Sequence, residues 1–351
     1  DDLGTRLQGY FLHLVPKTAF GIVSLILLNV VRLVHFHYLW QCKVIKKSMN
    51  MLKRRIEASS DGLRLAMLIS EPVGEPKGIV QIVHGMCEHK ERYIPFMEYL
   101  SAHGYVCAIH DHRGHGETVL NEEDLGYMYK GGWRALVEDI KLVQNEIKAS
   151  YPALPYTLFG HSMGSMAVRS FTKRYDDSID TLFVCGCPSY NPAGGAGRLL
   201  ASLIGLFKGE HYRSPLLQNL SFGSFNKPFE DEGYPSAWVC SDKDTLEAYH
   251  KDPYCMFTFT VNGFKNLLDL MKDCYNPKGW NMSKPNLPVH FISGAEDPCR
   301  ISNKAIDKAA DLMRRVGYRN TDLHLYPGMR HEILNETDRL QVWDDILSRL
   351  A

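Results

Sequence analysis

Three side chains far apart in the sequence have the types needed for nucleophilic attack on a carbonyl: Ser162, Asp297 and His331. A serine hydroxyl becomes a useful nucleophile only when a base removes its proton. An imidazole serves as that base when a carboxylate fixes its tautomer and orientation. Ser162 is the centre of Gly160-His161-Ser162-Met163-Gly164, with glycine two positions away on either side. Asp297 closes Ser293-Gly294-Ala295-Glu296-Asp297 and precedes Pro298, and His331 stands in Tyr326-Pro327-Gly328-Met329-Arg330-His331-Glu332. Glu296 is an alternative carboxylate, but the chain turns at Asp297 before the proline, which favours Asp297 as the orienting acid. His324 lies within an alternating run and reads as a packing or surface residue, leaving His331 as the base. The oxyanion formed in acyl transfer needs preorganised N–H donors. The backbone of Met163 is one candidate. The other is Met86, in His84-Gly85-Met86-Cys87-Glu88-His89, where Gly85 allows a tight turn.

These residues work only if the chain brings them to one place. The apolar run Tyr156 to Phe159 precedes the serine motif and a helical pattern, Ser165 to Tyr175, follows it. A strand, G-x-S-x-G and a helix in that order form a nucleophile elbow, a strained turn that lifts the hydroxyl above a sheet. Further strands are expected at Gly78 to His84, Tyr105 to His110, Leu182 to Cys187, Pro288 to Ser293 and Leu323 to Tyr326. Tyr93 to Ala102 reads as a helix, and Trp133, Leu136, Val137, Ile140, Val143 and Ile147 recur at helical spacing. This alternation predicts an α/β class, specifically the α/β-hydrolase fold, with a mainly parallel central sheet and helices on both faces. That fold uses the chain order Ser, Asp, His. Between Ser189 and about Pro285 the rhythm breaks into a stretch rich in Gly, Pro and aromatics, which reads as a lid inserted between core strands. The expected plan is a hydrophobic and basic segment over 1–55, a hydrolase core over 56–188 and 286–351, and a lid over 189–285.

Composition narrows the partners. Forty basic residues balance forty acidic ones in the 351-residue chain, so no net field gathers phosphate backbones and nucleic acid is not an expected partner. Neither G-x-G-x-x-G nor G-x-x-x-x-G-K-[ST] occurs in a suitable context, and no cofactor is expected. His110-Asp111-His112-Arg113-Gly114-His115 nearly matches the H-x-H-x-D-H run of dinuclear metallohydrolases, but Gly114 replaces the aspartate, so the histidines read as a structural loop. Nine cysteines are scattered without paired metal spacing or a disulfide framework, which points to a reducing compartment. Cys185 and Cys187 share one face of a strand and read as core.

The amino-terminal stretch differs from the rest. Ala19 to Val31 is uncharged, apolar character resumes after Arg32 as far as Trp40, and Lys43, Lys46, Lys47, Lys53, Arg54 and Arg55 follow. A helix over 19–40 would reach ~33 Å, enough for a hydrocarbon core of ~30 Å, with Arg32 inside at a cost of about 3 kcal/mol. The segment is therefore expected to meet a membrane surface, with Tyr38 and Trp40 at the headgroups and the basic run on the cytoplasmic side; the alternative is a helix buried against the protein or a partner. Asp1 and Asp2 spoil the basic start of a secretory signal. A cytoplasmic, membrane-associated location follows.

From about Ser59 onward the chain resembles the monoacylglycerol lipase and lysophospholipase group of α/β-hydrolases, which sequence classifications place with serine aminopeptidases. The matching pieces are His84-Gly85-Met86-Cys87-Glu88-His89-Lys90-Glu91-Arg92-Tyr93, Asp111-His112-Arg113-Gly114-His115-Gly116-Glu117-Thr118, Gly160 to Ser165, Ser293 to Pro298 and Tyr326 to Glu336. The resemblance implies Ser162, Asp297 and His331 as a triad with Met86 and Met163 as oxyanion donors. It also implies a serine esterase acting on a small acylated, lipid-like substrate. Met86-Cys87 departs from the small residues that mammalian lipases carry there, which implies a narrower acyl pocket. The apolar amino-terminal segment departs from the soluble members. An aminopeptidase or amidase on the same fold would need a group that captures a substrate amine, and none is evident. A non-catalytic binding protein on the scaffold would usually have lost a triad member, and all three are present.

Overall fold

The computed structural model describes residues 50–350 apart from Ser59. The apolar segment 19–40 lies outside the described residues. Among the described residues no helix is long and apolar enough to cross a membrane.

The chain enters through two strands, β1 (Asn50–Glu57) and β2 (Arg64–Glu71), followed by β3 (Gly78–Val83), α1 (Ile94–Ala102) and β4 (Tyr105–His110). Next come α2 (Gly132–Ser150), β5 (Tyr156–His161), α3 (Met163–Tyr175) and β6 (Thr181–Cys185). Four helices lie between β6 and the next strand: α4 (Gly194–Lys208), α5 (Pro215–Phe222), α6 (Lys243–Lys251) and α7 (Val261–Cys274). The core then resumes with β7 (Val289–Gly294), α8 (Asn303–Val316), β8 (Thr321–Tyr326) and α9 (Arg339–Ser348).

The eight strands form one sheet in the order β1-β2-β4-β3-β5-β6-β7-β8. β1 and β2 are antiparallel to their neighbours and β3 through β8 pair in parallel. β3, β4, β5 and β6 are buried at every position, as parallel strands sandwiched between helix layers must be. Side-chain alternation along them feeds two cores. Leu158 packs in one core with Trp133, Leu136 and Ile140 of α2 and Val168 of α3, and Phe159 packs in the other with Phe96 of α1 and Trp343 of α9. Burying each such side chain contributes roughly 1.5–3 kcal/mol, so the central strands are the most strongly held elements.

One feature differs from the expectation. β1 and β2 were not foreseen as strands; Lys53, Arg54 and Arg55 lie inside β1, held by its ladder with β2. The basic cluster hides the strand because its backbone pairing, rather than an apolar pattern, defines it. The inserted stretch, for which no elements were specified, is built of four α-helices and packs α4 against α7.

Candidate active site

β5 ends at His161 and α3 begins at Met163, so Ser162 alone makes the reversal. Its backbone has φ 53° and ψ −117°, a left-handed conformation that costs a non-glycine residue about 1–3 kcal/mol. The Ser162 N–H donates to Cys185 O at 2.9 Å and Ser165 Oγ donates to Ser162 O at 2.6 Å, which pins the turn. The flanking glycines are required by space. A Cβ on Gly160 would lie 2.4 Å from Gly164 O, and one on Gly164 would lie 2.0 Å from Val83 O. Gly85 is pressed equally close, since a Cβ there would meet Glu88 Oε1 at 2.5 Å and Ser162 Cβ at 3.0 Å. The loop after β3 therefore lies directly against the serine.

Asp297 and His331 arrive from the ends of β7 and β8. Asp297 Oδ2 accepts from His331 Nδ1 at 2.9 Å and from Ser293 Oγ at 3.1 Å, and Oδ1 accepts the Cys299 N–H at 2.8 Å. Burial works against ionisation of this carboxyl, but His331 and the donated hydrogen bonds outweigh it and hold the pKa below its ordinary value. Glu296 is exposed, and His324 is exposed on β8. His331 Nε2 has Cys299 Sγ at 4.0 Å. Ser162, Met163, His331 and Met86 all line one cavity of about 700 Å³. Phe222, Phe225 and Trp238 from the inserted stretch, with Phe257, Leu267 and Met271, supply much of its apolar wall.

A buried charged network that sequence reasoning missed lies behind these residues. Glu88 accepts the Gly85 N–H, and also bonds from Tyr93 Oη at 3.1 Å and Arg92 Nη1 at 3.2 Å. His161 Nδ1 lies 3.0 Å from Glu88 Oε1 and its Nε2 lies 3.3 Å from His331 O. Arg92 grips Glu332 through both terminal nitrogens at 2.6 Å. Burial opposes the charge on Glu88, yet the His161 and Arg92 contacts win and push its pKa down to about 2. Burial likewise opposes a charge on His161, and Glu88 reverses it, so the His161 pKa is raised. The two ring nitrogens of His161 thus bridge Glu88, in the loop after β3, to the backbone of His331. The only sequence signal was the presence of Glu88 and Arg92 in an otherwise quoted motif, four residues apart.

The histidines of 110–115 cluster with His84 through tilted and edge-to-face ring contacts. His84 and His112 rings lie 4.0 Å apart, His110 and His112 5.0 Å, and His84 and His115 5.3 Å, all fully buried. The His112 backbone N–H donates to His84 Nε2 at 3.0 Å, bracing the start of the loop after β3. Among the described residues two other groups bring metal-ligand atoms within 4.8 Å of one another: His89 with Asp252 and Cys255, and Asp297 with Cys299 and His331. In both, hydrogen bonds already occupy the imidazole, and burial holds the Cys255 and Cys299 thiols protonated. The eight cysteines of the described residues are free thiols, and Cys185 and Cys187 are buried.

The inserted stretch is fastened at both roots. Ser189 donates from N–H to Cys299 O at 3.0 Å and from Oγ to Arg300 O at 2.8 Å. At the other end Asp176 Oδ2 accepts the N–H groups of Ser283 and Lys284 at 2.6 and 3.0 Å, and Tyr318 Oη at 3.2 Å.

Residues 74–338 match the model of the family described as serine aminopeptidase, S33. The monoacylglycerol lipase of Mycolicibacterium smegmatis is 25% identical over 291 residues, covering 83% of this chain and 94% of that one. A thermostable carboxyl esterase from Bacillus coagulans, solved with glycerol, superposes with a TM-score of 0.78 at 25% identity, over 85% of this chain and 97% of its own. A soluble variant of monoglyceride lipase from Saccharomyces cerevisiae, solved with a substrate analogue, has the same fold, with a TM-score of 0.62 at 20% identity over 86% and 94% of the two chains. The mainly parallel eight-stranded sheet, the elbow at Ser162 and these likenesses together make the chain a carboxylic ester hydrolase of the α/β-hydrolase fold, belonging to the serine aminopeptidase S33 family and similar within it to the monoacylglycerol lipases.

Proposed function

We propose that the protein cleaves the ester of a monoacylglycerol or lysophospholipid through an acyl-enzyme on Ser162. His331 takes the Ser162 proton as the hydroxyl attacks the acyl carbonyl. Asp297 holds the ring with Nδ1–H toward itself and Nε2 toward the serine, and stabilises the imidazolium. The N–H groups of Met86 and Met163 receive the oxyanion, Met163 from the first position of α3, where the helix dipole adds positive potential. His331 then returns the proton to the leaving alcohol, and water, activated by the same ring, releases the fatty acid.

The observation that carries this reading is the opening of Ser162 and His331, the latter backed by Asp297, into one apolar cavity of about 700 Å³, a size and polarity suited to an acyl chain. A lipid-borne substrate is further supported by Leu199, Leu203, Leu206 and Phe207 of α4 and Leu216 and Leu220 of α5, all exposed on two of the inserted helices. We assign those helices to a lid, and the segment 19–40 to an anchor that keeps the enzyme at the lipid surface from the cytoplasmic side. Against an aminopeptidase, the cavity's carboxylates Glu88 and Glu332 are both engaged by Arg92, leaving neither to capture a substrate amine.

The test is side-by-side turnover of a monoacylglycerol, a lysophospholipid and an aminoacyl anilide by the protein and by Ser162→Ala. The two esters are expected to be hydrolysed, and the variant to lose about 10⁴-fold or more in kcat while remaining folded. Preferred cleavage of the anilide, or an active alanine variant, would overturn the proposal. Vesicle flotation of the chain with and without residues 1–49 tests the anchor, which is abandoned if both forms float equally.

A further inference from the structure

The loop that carries Met86 is gripped from the lid side at three points. Tyr249 Oη donates to Cys87 O at 3.4 Å, Cys87 Sγ donates to Phe257 O at 3.1 Å, and His89 Nε2 lies 2.7 Å from Asp252 Oδ2. The other His89 nitrogen lies 2.8 Å from Glu91 Oε2. The ring is thus clamped between one carboxylate of the core and one just past the end of α6, and it is 7% exposed. Cys87 itself has φ 54°, a left-handed conformation that a non-glycine residue keeps only where its surroundings enforce it. The contacts to residues 249–257 are those surroundings.

We propose that His89 is a positioning residue that couples lid closure to the oxyanion hole: when its bond to Asp252 breaks, Cys87 relaxes and the neighbouring Met86 N–H leaves the position in which it meets the oxyanion. The inference rests on the role proposed for Met86.

The charges around the ring determine when the clamp holds. On the core side Glu91 also pairs with Lys90 at 2.8 Å and Lys53 at 3.8 Å, the charges of Asp111 and His115 act on the ring electrostatically, and Arg92 lies over the Tyr249 ring. On the lid side stand Asp252, the Tyr254 ring at 5.6 Å and Cys255, whose thiol burial keeps neutral. Burial opposes protonation of His89, but its hydrogen bonds to Glu91 and Asp252 outweigh that and raise its pKa. Below this raised pKa both nitrogens carry protons and both carboxylates are held. Above it the ring has one N–H for two acceptors, and the clamp opens.

The experiment compares wild type with His89→Gln, Asp252→Asn and the double variant, using a water-soluble short-chain p-nitrophenyl ester across pH 6 to 10. Each single variant is expected to lower kcat about tenfold to a hundredfold, less than outright loss of an oxyanion donor, with KM changed far less. The double variant is expected to be no worse than either single, and all three to lose the alkaline decline in kcat that wild type shows. Asp252→Glu should restore part of the rate. Losses that simply multiply in the double variant, or an alkaline decline retained by Asp252→Asn, would overturn the coupling, as would a lowered melting temperature with unchanged kcat. Labelling of Ser162 by a fluorophosphonate separates the two claims: wild type that is not labelled defeats the proposed mechanism, whereas labelled wild type with fully active variants defeats only the role of His89.

Discussion

Asp297 Oδ2 lies 2.9 Å from His331 Nδ1, while Glu296, one residue earlier, is exposed. Two acids adjacent in sequence are therefore placed differently by a single turn. Asp297→Asn is expected to lower kcat by about 10⁴-fold, because an amide can hold the wrong imidazole tautomer. Glu296→Gln is expected to stay within about twofold, as surface changes usually do. Steady-state kinetics on one short-chain ester decides between them, and a larger loss in the Glu296 variant would reverse the assignment.

Gly164→Ala tests the elbow as a packing constraint. Its Cβ would need the space held by Val83 O, 2.0 Å away, and both groups belong to backbone that cannot step aside. The expected outcome is loss of on the order of 3 kcal/mol or more of stability, read as a lowered urea midpoint, together with loss of activity. Gly328→Ala, where nothing lies within 4 Å but φ is +72°, is the milder control, at about 1 kcal/mol.

Glu88 is expected to matter more for stability than its distance from the chemistry suggests. Glu88→Gln leaves Arg92 with Glu332 alone and takes the carboxylate from His161 Nδ1, and breaking a buried pair in this way costs about 3–5 kcal/mol. Chemical denaturation would show this as a large shift in midpoint with an unchanged slope. A shift below 1 kcal/mol would mean that the network carries little net charge interaction.

The buried histidine cluster predicts acid sensitivity. Burial, the largest cause, pushes His110 down to about 3 and His115 down to about 4, and holds His84 and His112 well below their ordinary value. An unfolded histidine titrates near ~6.5, so below that pH the unfolded chain binds protons that the folded chain refuses. This contribution is fully present above pH ~6.5 and is lost as the pH falls toward 4. Urea midpoints measured from pH 7 to 4.5 should fall steadily. His110→Phe should flatten the fall, since neither His110 nitrogen has a hydrogen-bond partner to lose. The raised pKa of His89 acts in the opposite sense, stabilising below pH ~6.5 and losing that effect as pH rises through its folded value.

How much of this was legible in the sequence depends on the range of each interaction. β3 to β6 are buried throughout and so appear as continuous apolar runs, and the elbow is a local arrangement whose glycines stand beside the serine they serve. Pro298 marks the turn at Asp297 within one residue. β1 had no such trace, because its partner strand and not its own Lys53-Arg54-Arg55 defines it. Glu88 and His161 are 73 residues apart, and His89 and Asp252 are 163 apart. Pairings of that span leave no periodicity, and only the folded sheet brings them together.

The two fastenings of the inserted helices have an evolutionary consequence. Ser189 is tied to the turn that follows Asp297, and Ser283 with Lys284 is tied to Asp176 at the end of α3, so both ends of the insertion stay put whatever lies between. Mutation can rewrite, lengthen or exchange that interior without moving the serine, provided that a residue such as Asp252 still reaches the histidine beneath it. On the proposed mechanism the chain thus divides into a fixed core that does the reaction and a shorter, negotiable insertion that chooses the molecule. Chimeras cut at residues 189 and 283 are the natural way to trade one for another.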